Sequence, residues 1–305
     1  MKAWPPWRSA ASRVSAANRR RRAHVHSRLL AGKRILVTGG GSGLGAAMAT
    51  RFAELGASLV LCGRRAEVLE ATADALRERG ATVDTARCDV RDADAVETMV
   101  GHAWANGPID VLVNNAAASF VAQTEQLSAR AADAILATSL HGALYATLAL
   151  GRQWTRHGRA GTVLSILSTS TLTGRAFTVP SAMAKSGLLA MTRSLAVEWG
   201  PKNIRLVAIA PGPFPTDGSN RQLNPGERSI AAARAPLNPL GRVGRPQELA
   251  DLASFLVSDH AGYINGEMVA IDGGAHLRSS GAEDLLGWTV QQWEAARSAR
   301  SARGK

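Results

Sequence analysis

From residue 32 to about residue 275, short apolar or β-branched runs alternate with longer stretches of helical periodicity, and this pattern constrains the fold most. Apolar residues in the longer stretches recur with a spacing of about 3.6, the period of an α-helix. Strands and helices that alternate along a chain form βαβ units, which build a parallel sheet covered on both faces. We therefore predict a single α/β domain, doubly wound around a seven-stranded parallel sheet.

The same pattern gives the boundaries of the predicted elements. The strands are residues 34–38, 58–62, 82–88, 111–114, 162–168, 205–210 and 268–271. The helices are residues 65–79, 93–105, 127–156, 181–199 and 246–258. Residues 211–245 are dense in Pro, Gly, Asn and Arg, which predicts an irregular loop there.

The formal net charge of +12 is concentrated at the N-terminus, where residues 1–34 contain ten Lys or Arg and no acid. This composition is typical of a transit peptide, although the arginine run at residues 19–22 could equally bind nucleic acid. A third interpretation is a disordered extension, or a stretch translated from an incorrectly assigned start. We predict a basic, disordered extension over residues 1–30 and no nucleic-acid partner. The predicted location is cytoplasmic, or an organellar matrix if the extension directs import.

Cysteine content and hydropathy exclude several classes of protein. Two cysteines, Cys62 and Cys88, argue against a disulfide-stapled secreted fold. No paired Cys or His residues have metal-ligand spacing, so we expect no metal. A membrane span needs an apolar run of about 18 residues, and the nearest candidate, residues 134–151, is interrupted by His141 and by hydroxyls. We therefore expect no membrane span.

A glycine-rich segment follows the first predicted strand and precedes a helical stretch. Glycines permit a tight turn and let backbone N–H groups approach a pyrophosphate at a helix N-terminus, where the helix dipole favours negative charge. The position between strand and helix predicts a dinucleotide-binding loop. Its predicted contacts are Gly39, Gly41, Ser42, Gly43, Leu44 and Gly45.

The end of the second strand predicts which dinucleotide is bound. An acid at this point would bind a ribose 2′-hydroxyl, but Gly63 is followed by Arg64 and Arg65. Guanidinium groups form bidentate hydrogen bonds with phosphate oxygens, and two of them suit a 2′-phosphate. The alternative, a solvated start of a helix, is disfavoured because arginine there opposes the helix dipole. We predict NADP(H) as the cofactor.

Five motifs in order resemble those of the short-chain dehydrogenase/reductase family over about residues 30–275. They are Thr38-Gly-x-x-x-Gly43-x-Gly45, Cys88-Asp89-Val90, Asn114-Asn115-Ala116-Ala117, Pro211-Gly212 and Asp272-Gly273-Gly274. The resemblance implies a Rossmann-type fold with Asp89 and Val90 beside the adenine. It also implies ribose-side contacts from Asn115, Ala116 and Ala117, and nicotinamide-end contacts from Pro211, Gly212, Phe214 and Thr216.

The sequence departs from the family at the catalytic positions. The family has a Tyr-x-x-x-Lys pair on a helix, whereas here Ser181 precedes Lys185 by four residues, one helical turn. Ser168 stands at the family's serine position, and Ser139 at its helix asparagine, with His141 two residues further on. The resemblance implies that Lys185 also binds the nicotinamide ribose. Neither Tyr145, within a long helix, nor Tyr263, within a turn, replaces the missing tyrosine, and we predict packing roles for both.

The missing tyrosine changes which reaction is plausible. Reduction of a ketone places a full alkoxide on oxygen, which requires a tuned acid. Reduction of a double bond conjugated to a thioester places hydride on carbon, and hydrogen-bond donors can stabilise the resulting enolate without protonating it. Several serine hydroxyls could share that task. His141 remains open as a further donor, since a lone histidine on a helix is more often a packing residue.

The segment Val179-Pro180-Ser181-Ala182-Met183-Ala184-Lys185 resembles the 2,4-dienoyl-CoA reductases, a subfamily with Ser-x-x-x-Lys. The resemblance implies NADPH-dependent reduction of a dienoyl thioester in fatty acid β-oxidation, and a homotetramer. That subfamily binds the thioester carbonyl through a tyrosine and an asparagine. The matching positions are Ser170 and Ser119, so we include both with Ser168, Ser181, Lys185 and His141 as candidate catalytic residues.

Two flanking segments complete the predicted organisation. A lid over about residues 213–245 carries Arg221, Arg228, Arg234, Arg242 and Arg245, which suit an anionic CoA ester or merely solvate a flexible segment. Residues 276–305 form a C-terminal extension, in which residues 283–300 predict a helix that packs Trp288 and Trp293 against the body or a neighbour. The alternative functions are a carbonyl reductase with Ser181 or His141 as proton donor, and a catalytically decayed dinucleotide-binding protein.

Overall fold

The computed structural model describes residues 28–218, 238–278, 285 and 287–303, and these contain the predicted seven-stranded parallel sheet. The strand order is β3-β2-β1-β4-β5-β6-β7, so the direction of winding reverses between β1 and β4. Ligands of such sheets bind in the crevice at the carboxyl ends of the strands, where the winding reverses. The strands are β1 Arg34–Thr38, β2 Ser58–Gly63, β3 Val83–Arg87, β4 Val111–Asn114, β5 Gly161–Ile166, β6 Ile204–Pro211 and β7 Met268–Ile271.

Helices cover both faces of the sheet, and each face has its own apolar core. The α-helices in the described residues are α1 Gly43–Glu54, α2 Ala66–Arg77, α3 Ala93–Ala105, α4 Ala129–Leu136, α5 Gly142–Arg156, α6 Ser170–Thr173, α7 Val179–Trp199, α8 Pro246–Val257 and α9 Val290–Arg303. Phe52 of α1 is fully buried in the core that includes α8. Trp154 of α5 is fully buried on the opposite face, and its indole N–H donates to the carbonyl oxygen of Ile109 at 2.6 Å.

Local sequence explains where several helices begin. Asp92 caps α3 by accepting hydrogen bonds from the backbone N–H groups of Asp94 and Ala95, each at 3.0 Å. Proline stands in the first turn of α7 and of α8, where its missing N–H has no intrahelical partner to lose. These signals are local, and the predicted starts of all three helices lie within two residues of the observed ones.

The stretch 127–156, predicted as one helix, is divided in the structure. A π-helical turn, Ala137–His141, separates α4 from α5 and inserts an extra residue into the helical repeat. Together the segments Ala129–Arg156 are long and apolar enough to cross a membrane by composition, and half of their most apolar window is buried inside the fold. The buried side chains of α5 pack against the sheet, as those of a core helix do.

The N-terminal boundary of the domain differs from the predicted one. Leu30 is fully buried in the core beside α1, and its backbone N–H donates to the carbonyl oxygen of Leu55 at 3.0 Å. Residues 28–30 therefore belong to the domain and not to a disordered extension. Residues 1–27, to which the targeting and nucleic-acid interpretations apply, lie outside the described residues.

Two other expectations about side chains are corrected. Tyr263, predicted to pack, is fully exposed. Trp288 and Trp293 contact each other with ring centroids 4.9 Å apart and ring planes tilted by 57°, and each remains more than a third exposed. The helix predicted over residues 283–300 begins at Val290. Trp288 and the residue after it lie before α9, in irregular structure.

The arginines predicted for the lid divide into two groups. Arg221, Arg228 and Arg234 lie outside the described residues. Arg242 donates to both carboxylate oxygens of Glu248 at 2.7 and 2.8 Å, and the backbone N–H of Arg245 donates to the same carboxylate at 2.9 Å. Hydrogen bonds from Arg242 and then from Arg245 lower the pKa of Glu248 to about 2. These two arginines therefore fix the start of α8, and the single carboxylate of Glu248 offsets one of their two positive charges.

Candidate functional site

A long cleft runs along the carboxyl ends of the strands. Its lining comes from the segments that follow each of the seven strands, together with the start of α7. The cleft thus crosses the point where the winding reverses, where a doubly wound sheet places its ligand.

The glycine-rich loop forms one wall of this cleft. Gly39, Gly41, Ser42, Gly43 and Leu44 line it, as predicted. Gly39 has φ +66°, and a Cβ there would lie 2.9 Å from the side-chain amide nitrogen of Asn115, so only glycine fits. Gly45 lies beneath the loop and does not line the cleft. A Cβ there would lie 2.2 Å from the carbonyl oxygen of Gly39, so the backbone of the loop is in close contact with Gly45. Gly45 therefore permits close packing of α1 under the loop.

Thr38 and Asn115 hold the glycine-rich loop in place. The side-chain amide of Asn115 donates to the carbonyl oxygens of Thr38 at 2.9 Å and Gly39 at 3.2 Å. The Thr38 hydroxyl accepts from the backbone N–H groups of Asn115 and Ala116, each at 3.1 Å, and donates to the carbonyl of Val113. Thr38 was missed as a site residue, since only the fold brings it to Asn115. Asn115, which the resemblance assigns to the ribose side, lines the cleft together with Ala116 and Ala117, and its amide also supports the loop.

The segments after β2 and β3 form the far end of the cleft. Arg64 and Arg65 are exposed and line it, as the predicted 2′-phosphate site requires. Val90 lines it too, but Asp89 is not among the lining residues, because its carboxylate pairs with Arg91 at 2.6 Å. The hydrogen bonds from Arg91 lower the pKa of Asp89, and Arg64 adds a smaller electrostatic effect in the same direction.

Lys185 is the only lysine that lines the described cleft, and it is buried within α7. Its ammonium group donates to the carbonyl oxygen of Ile166, the last residue of β5, at 2.6 Å. Burial lowers the pKa of Lys185 from 10.5 to about 8. At neutral pH most molecules therefore carry a buried positive charge in the wall of the cleft.

The four candidate serines all line the same cleft. Ser168 and Ser170 follow β5, where the Ser168 hydroxyl accepts from the backbone N–H of Ser170 at 3.2 Å. Ser181 lies one turn before Lys185 on α7, and Ser119 follows β4. Serine hydroxyls from three different parts of the chain are thus brought to one cavity that also holds Lys185.

The π-helical turn decides the positions of Ser139 and His141. Ser139 is fully buried; its hydroxyl accepts from the backbone N–H of Ala118 at 2.9 Å and donates to the Ala118 carbonyl at 3.0 Å. Ser139 therefore supports the loop that carries Ser119. His141 is exposed, stacks near Tyr145 with ring centroids 6.1 Å apart, and does not line the cleft. The candidate catalytic role of His141 is not supported, because the extra residue of the turn directs position 141 away from the site.

Segments after β6 and β7 close the cleft at its other end. Pro211, Gly212, Phe214 and Thr216 all line it. A Cβ at Gly212 would lie 2.5 Å from the Cβ of Asp272, so this corner is packed tightly against the end of β7. Phe214 is also part of the apolar core, which places most of its ring away from the cavity.

Sequence reasoning also missed two residues that surround Asp272, one from the segment before α8 and one from the segment after β7. Asn238 and His276 both line the cleft, and both bind Asp272. His276 stands four residues after Asp272, a spacing that brings two side chains together on a helix. A glycine pair lies between them, so no helix is expected there and the spacing gave no signal. Among residues 28–218, 238–278, 285 and 287–303, no group of three His, Cys, Asp or Glu side chains could hold a metal ion.

Comparison with known proteins places the chain among oxidoreductases. A family model described as enoyl-(acyl carrier protein) reductase matches residues 39–276. An uncharacterized oxidoreductase of Caenorhabditis elegans is 42% identical over 277 residues, which cover 87% of each chain. Another C. elegans protein, named a probable 2,4-dienoyl-CoA reductase that produces (3E)-enoyl-CoA, is 39% identical and covers 87% of this chain and 88% of its own.

Solved structures share the same fold. The gluconate 5-dehydrogenase of Burkholderia cenocepacia, crystallised with NADP and tartrate, superposes with a TM-score of 0.78 at 28% identity. The match covers 84% of this chain and all of that protein.

Proposed function

Since the chain belongs to the short-chain dehydrogenase/reductase family, whose members are oxidoreductases, we propose that it reduces the conjugated double bond of an enoyl- or 2,4-dienoyl-CoA thioester with NADPH. The observation that carries this proposal is the chemistry of the cleft wall. Ser181 stands one helical turn before the buried Lys185, and both line the cleft. The chain has two tyrosines, and neither lines the cleft. A reaction that needs a phenolic acid at this position is therefore disfavoured.

The residues present fit NADPH. Gly39 and Gly43 leave a cradle beside the N-terminus of α1, and both have positive φ angles, +66° and +56°. Backbone N–H groups at such a helix start suit a pyrophosphate. The exposed guanidinium groups of Arg64 and Arg65 suit the additional phosphate of NADPH in preference to NADH. When bound, NADPH supplies the hydride of the reaction.

Lys185 and the serine hydroxyls act on the thioester oxygen. As hydride adds to carbon, negative charge develops on that oxygen. The charged Lys185 ammonium makes this part of the cleft electropositive, and one of its three N–H groups is held by Ile166. Hydroxyls of Ser119, Ser170 and Ser181 can donate hydrogen bonds to the oxyanion without losing their protons. Stabilisation by several neutral donors suits an enolate, whereas an alkoxide would have to be protonated.

The similarity to a relative named as a 2,4-dienoyl-CoA reductase supports the dienoyl substrate, and a bound NADP in a structure of the same fold supports the cofactor. The apolar wall after β5 supports an acyl group, because Phe177 lines the cleft with its side chain about half exposed. Phe177 also has φ +62°, which is uncommon outside glycine and marks a constrained loop.

The proposed function is tested by measuring oxidation of NADPH and NADH by the purified full-length chain with four substrates. These are a 2,4-dienoyl-CoA, a 2-enoyl-CoA, a 3-oxoacyl-CoA and gluconate's 5-keto derivative. We expect the dienoyl-CoA with NADPH to give the highest kcat/KM. Turnover confined to the two ketones would overturn the proposal in favour of a carbonyl reductase. NADPH binding without turnover of any substrate would overturn it in favour of a non-catalytic protein.

A further inference from the structure

A histidine–aspartate pair lies at the end of the cleft beyond β7. Asp272 is buried, and its carboxylate accepts three N–H donors. The ring Nδ1 of His276 lies 2.8 Å from Oδ2, the backbone N–H of His276 2.7 Å from Oδ2, and that of Gly274 2.9 Å from Oδ1. An aspartate so surrounded is suited to the ionised form, which only accepts hydrogen bonds. Nδ1 of His276 must therefore carry a proton.

This pairing fixes the orientation of the imidazole. With Nδ1 bound to Asp272, Nε2 lies on the opposite side of the ring. His276 lines the cleft, and only about 20% of its side chain is exposed. Asn238 braces the pair from another segment, since its amide donates to the Asp272 carbonyl oxygen at 2.6 Å.

The pair adjoins the predicted reaction site. The corner Pro211–Gly212 touches it on one side, where a Cβ at Gly212 would lie 2.5 Å from that of Asp272. The corner also contacts the segment that carries Ser168 and Ser170. The backbone N–H of Thr169, which lies between these serines, donates to the Pro211 carbonyl oxygen at 3.3 Å. The corner Pro211–Gly212 therefore separates the serine cluster, Ser168 and Ser170, from His276.

Reduction of a conjugated double bond requires a proton as well as a hydride. Hydride adds to the δ carbon, the γ–δ electron pair forms a β–γ double bond, and the α–β pair forms an α–carbonyl double bond. The carbonyl electrons then reside on the thioester oxygen. Serine hydroxyls stabilise this dienolate but are poor acids, so another group must protonate carbon. Lys185 and His276 are the two basic nitrogens lining the described cleft that are not guanidinium groups.

We propose that His276, oriented by Asp272, donates the proton from Nε2 to the α carbon of the dienolate. This inference rests on the proposed function. The α–carbonyl electron pair forms the new C–H bond, the thioester carbonyl is restored, and neutral His276 regains a proton from solvent. The product is a 3-enoyl thioester. The charged groups around His276 are Asp272, bonded to its ring, and Arg278, two residues further on. The remaining charges of the described lining are Arg64, Arg65, Arg175, Lys185 and Asp217.

The variant His276→Asn separates catalysis from packing. The asparagine amide nitrogen occupies the place of Nδ1 and can still donate to Asp272, while the nitrogen that faces the cleft is removed. We expect the melting temperature and the NADPH dissociation constant, measured by fluorescence, to remain within error of the parent values. We expect kcat for the dienoyl-CoA to fall about 10²-fold, the lower range of general acid catalysis. The matched control is His260→Asn, an exposed histidine outside the cleft.

Two measurements distinguish a proton donor from a structural residue. Added imidazole and related small acids are expected to restore turnover of His276→Asn in proportion to acid concentration, and to leave the parent and His260→Asn unchanged. In deuterated water the parent is expected to place deuterium on one face of the α carbon, and His276→Asn on both faces. If the parent reduces dienoyl-CoA and His276→Asn keeps its rate and its facial selectivity, the proton donor is another group and the inference is overturned. Failure of the parent itself to turn over enoyl thioesters would instead overturn the proposed function.

Discussion

The ammonium group of Lys185 in α7 donates to the carbonyl oxygen of Ile166, at the end of β5, across 2.6 Å. This bond fixes a buried cation beside the serine cluster that follows the same strand. Its energetic consequences can be measured separately from its consequences for the reaction.

Activity is expected to depend on the charge of Lys185. Because burial lowers the pKa of Lys185 to about 8, the ammonium form is lost as the pH rises through that value. We therefore expect kcat/KM for a dienoyl-CoA to fall above about pH 8. Lys185→Met is expected to lower kcat/KM at least 10²-fold, by analogy with the loss of a charge-stabilising donor. A variant with parental activity, or a parent profile that is flat to pH 10, would contradict this role.

The same shift predicts how stability depends on pH. In the unfolded chain Lys185 titrates near 10.5, so between about pH 8 and 10.5 the unfolded state binds more protons than the folded state. The contribution of Lys185 to the free energy of unfolding should therefore rise with pH in that window, by about 3 kcal/mol in total. Chemical denaturation of the parent and of Lys185→Met at several pH values measures it. Parallel pH profiles for the two proteins would show that burial does not shift this group.

Arg64 and Arg65 are expected to select the cofactor. Replacing Arg64 with alanine should raise the KM for NADPH about tenfold and leave the KM for NADH unchanged, because only NADPH carries the 2′-phosphate. Arg65→Ala is expected to have a smaller effect of the same kind. Arg79→Ala, an exposed arginine outside the cleft, is the control. Equal changes for the two cofactors would indicate a general electrostatic effect.

Asn115 is expected to act through the glycine-rich loop. Asn115→Ala removes two hydrogen bonds to loop carbonyls and should destabilise the protein by about 1–3 kcal/mol. Asn115→Asp should be worse, since a carboxylate cannot donate to carbonyl oxygens. Both variants should weaken NADPH binding more than they change kcat at saturating cofactor. The readouts are thermal unfolding and a full set of kcat and KM values; a variant changed only in kcat would refute the bracing role.

The N-terminal boundary can be tested by two truncations. Removing residues 1–27 is expected to leave the melting temperature unchanged. Removing residues 1–30 also deletes the buried Leu30, which should cost about 2–5 kcal/mol, as other large-to-small core changes do. The matched substitution Leu30→Ala in the full chain should reproduce most of this loss. Equal stability of both truncated proteins would mean that Leu30 contributes little to the core.

The sheet could be predicted closely because its strands are short apolar or β-branched runs that alternate with longer stretches of helical periodicity. The strands at residues 34–38, 111–114 and 268–271 have the predicted bounds. The glycine-rich loop and the Ser181–Lys185 spacing could also be predicted, since each involves only a few consecutive residues. Such patterns can be read from the sequence because each depends only on residues that are close together in the chain.

Contacts between distant segments could not be predicted. The hydrogen bonds between Asn115 and Thr38 join residues 77 positions apart. The orientation of His276 depends on Asn238, which comes from a segment before α8. The position of His141 outside the cleft likewise could not be predicted, because the π-helical turn that contains it has no signal in the local sequence pattern.

The π-helical turn Ala137–His141 lets a single apolar stretch serve two surfaces. α4 before the turn contacts α7, and α5 after it contacts α3 and the strands β4 and β5, with a smaller contact to α7. Within α4 only Ile135 is buried, whereas α5 buries eight residues that range from Gly142 to Trp154. The buried residues of the two helices therefore face mainly different neighbours, α7 in the first case and the sheet and α3 in the second. A hydropathy profile adds both sets together, so the whole stretch scores as a membrane-like segment although half of its most apolar window is buried inside the fold.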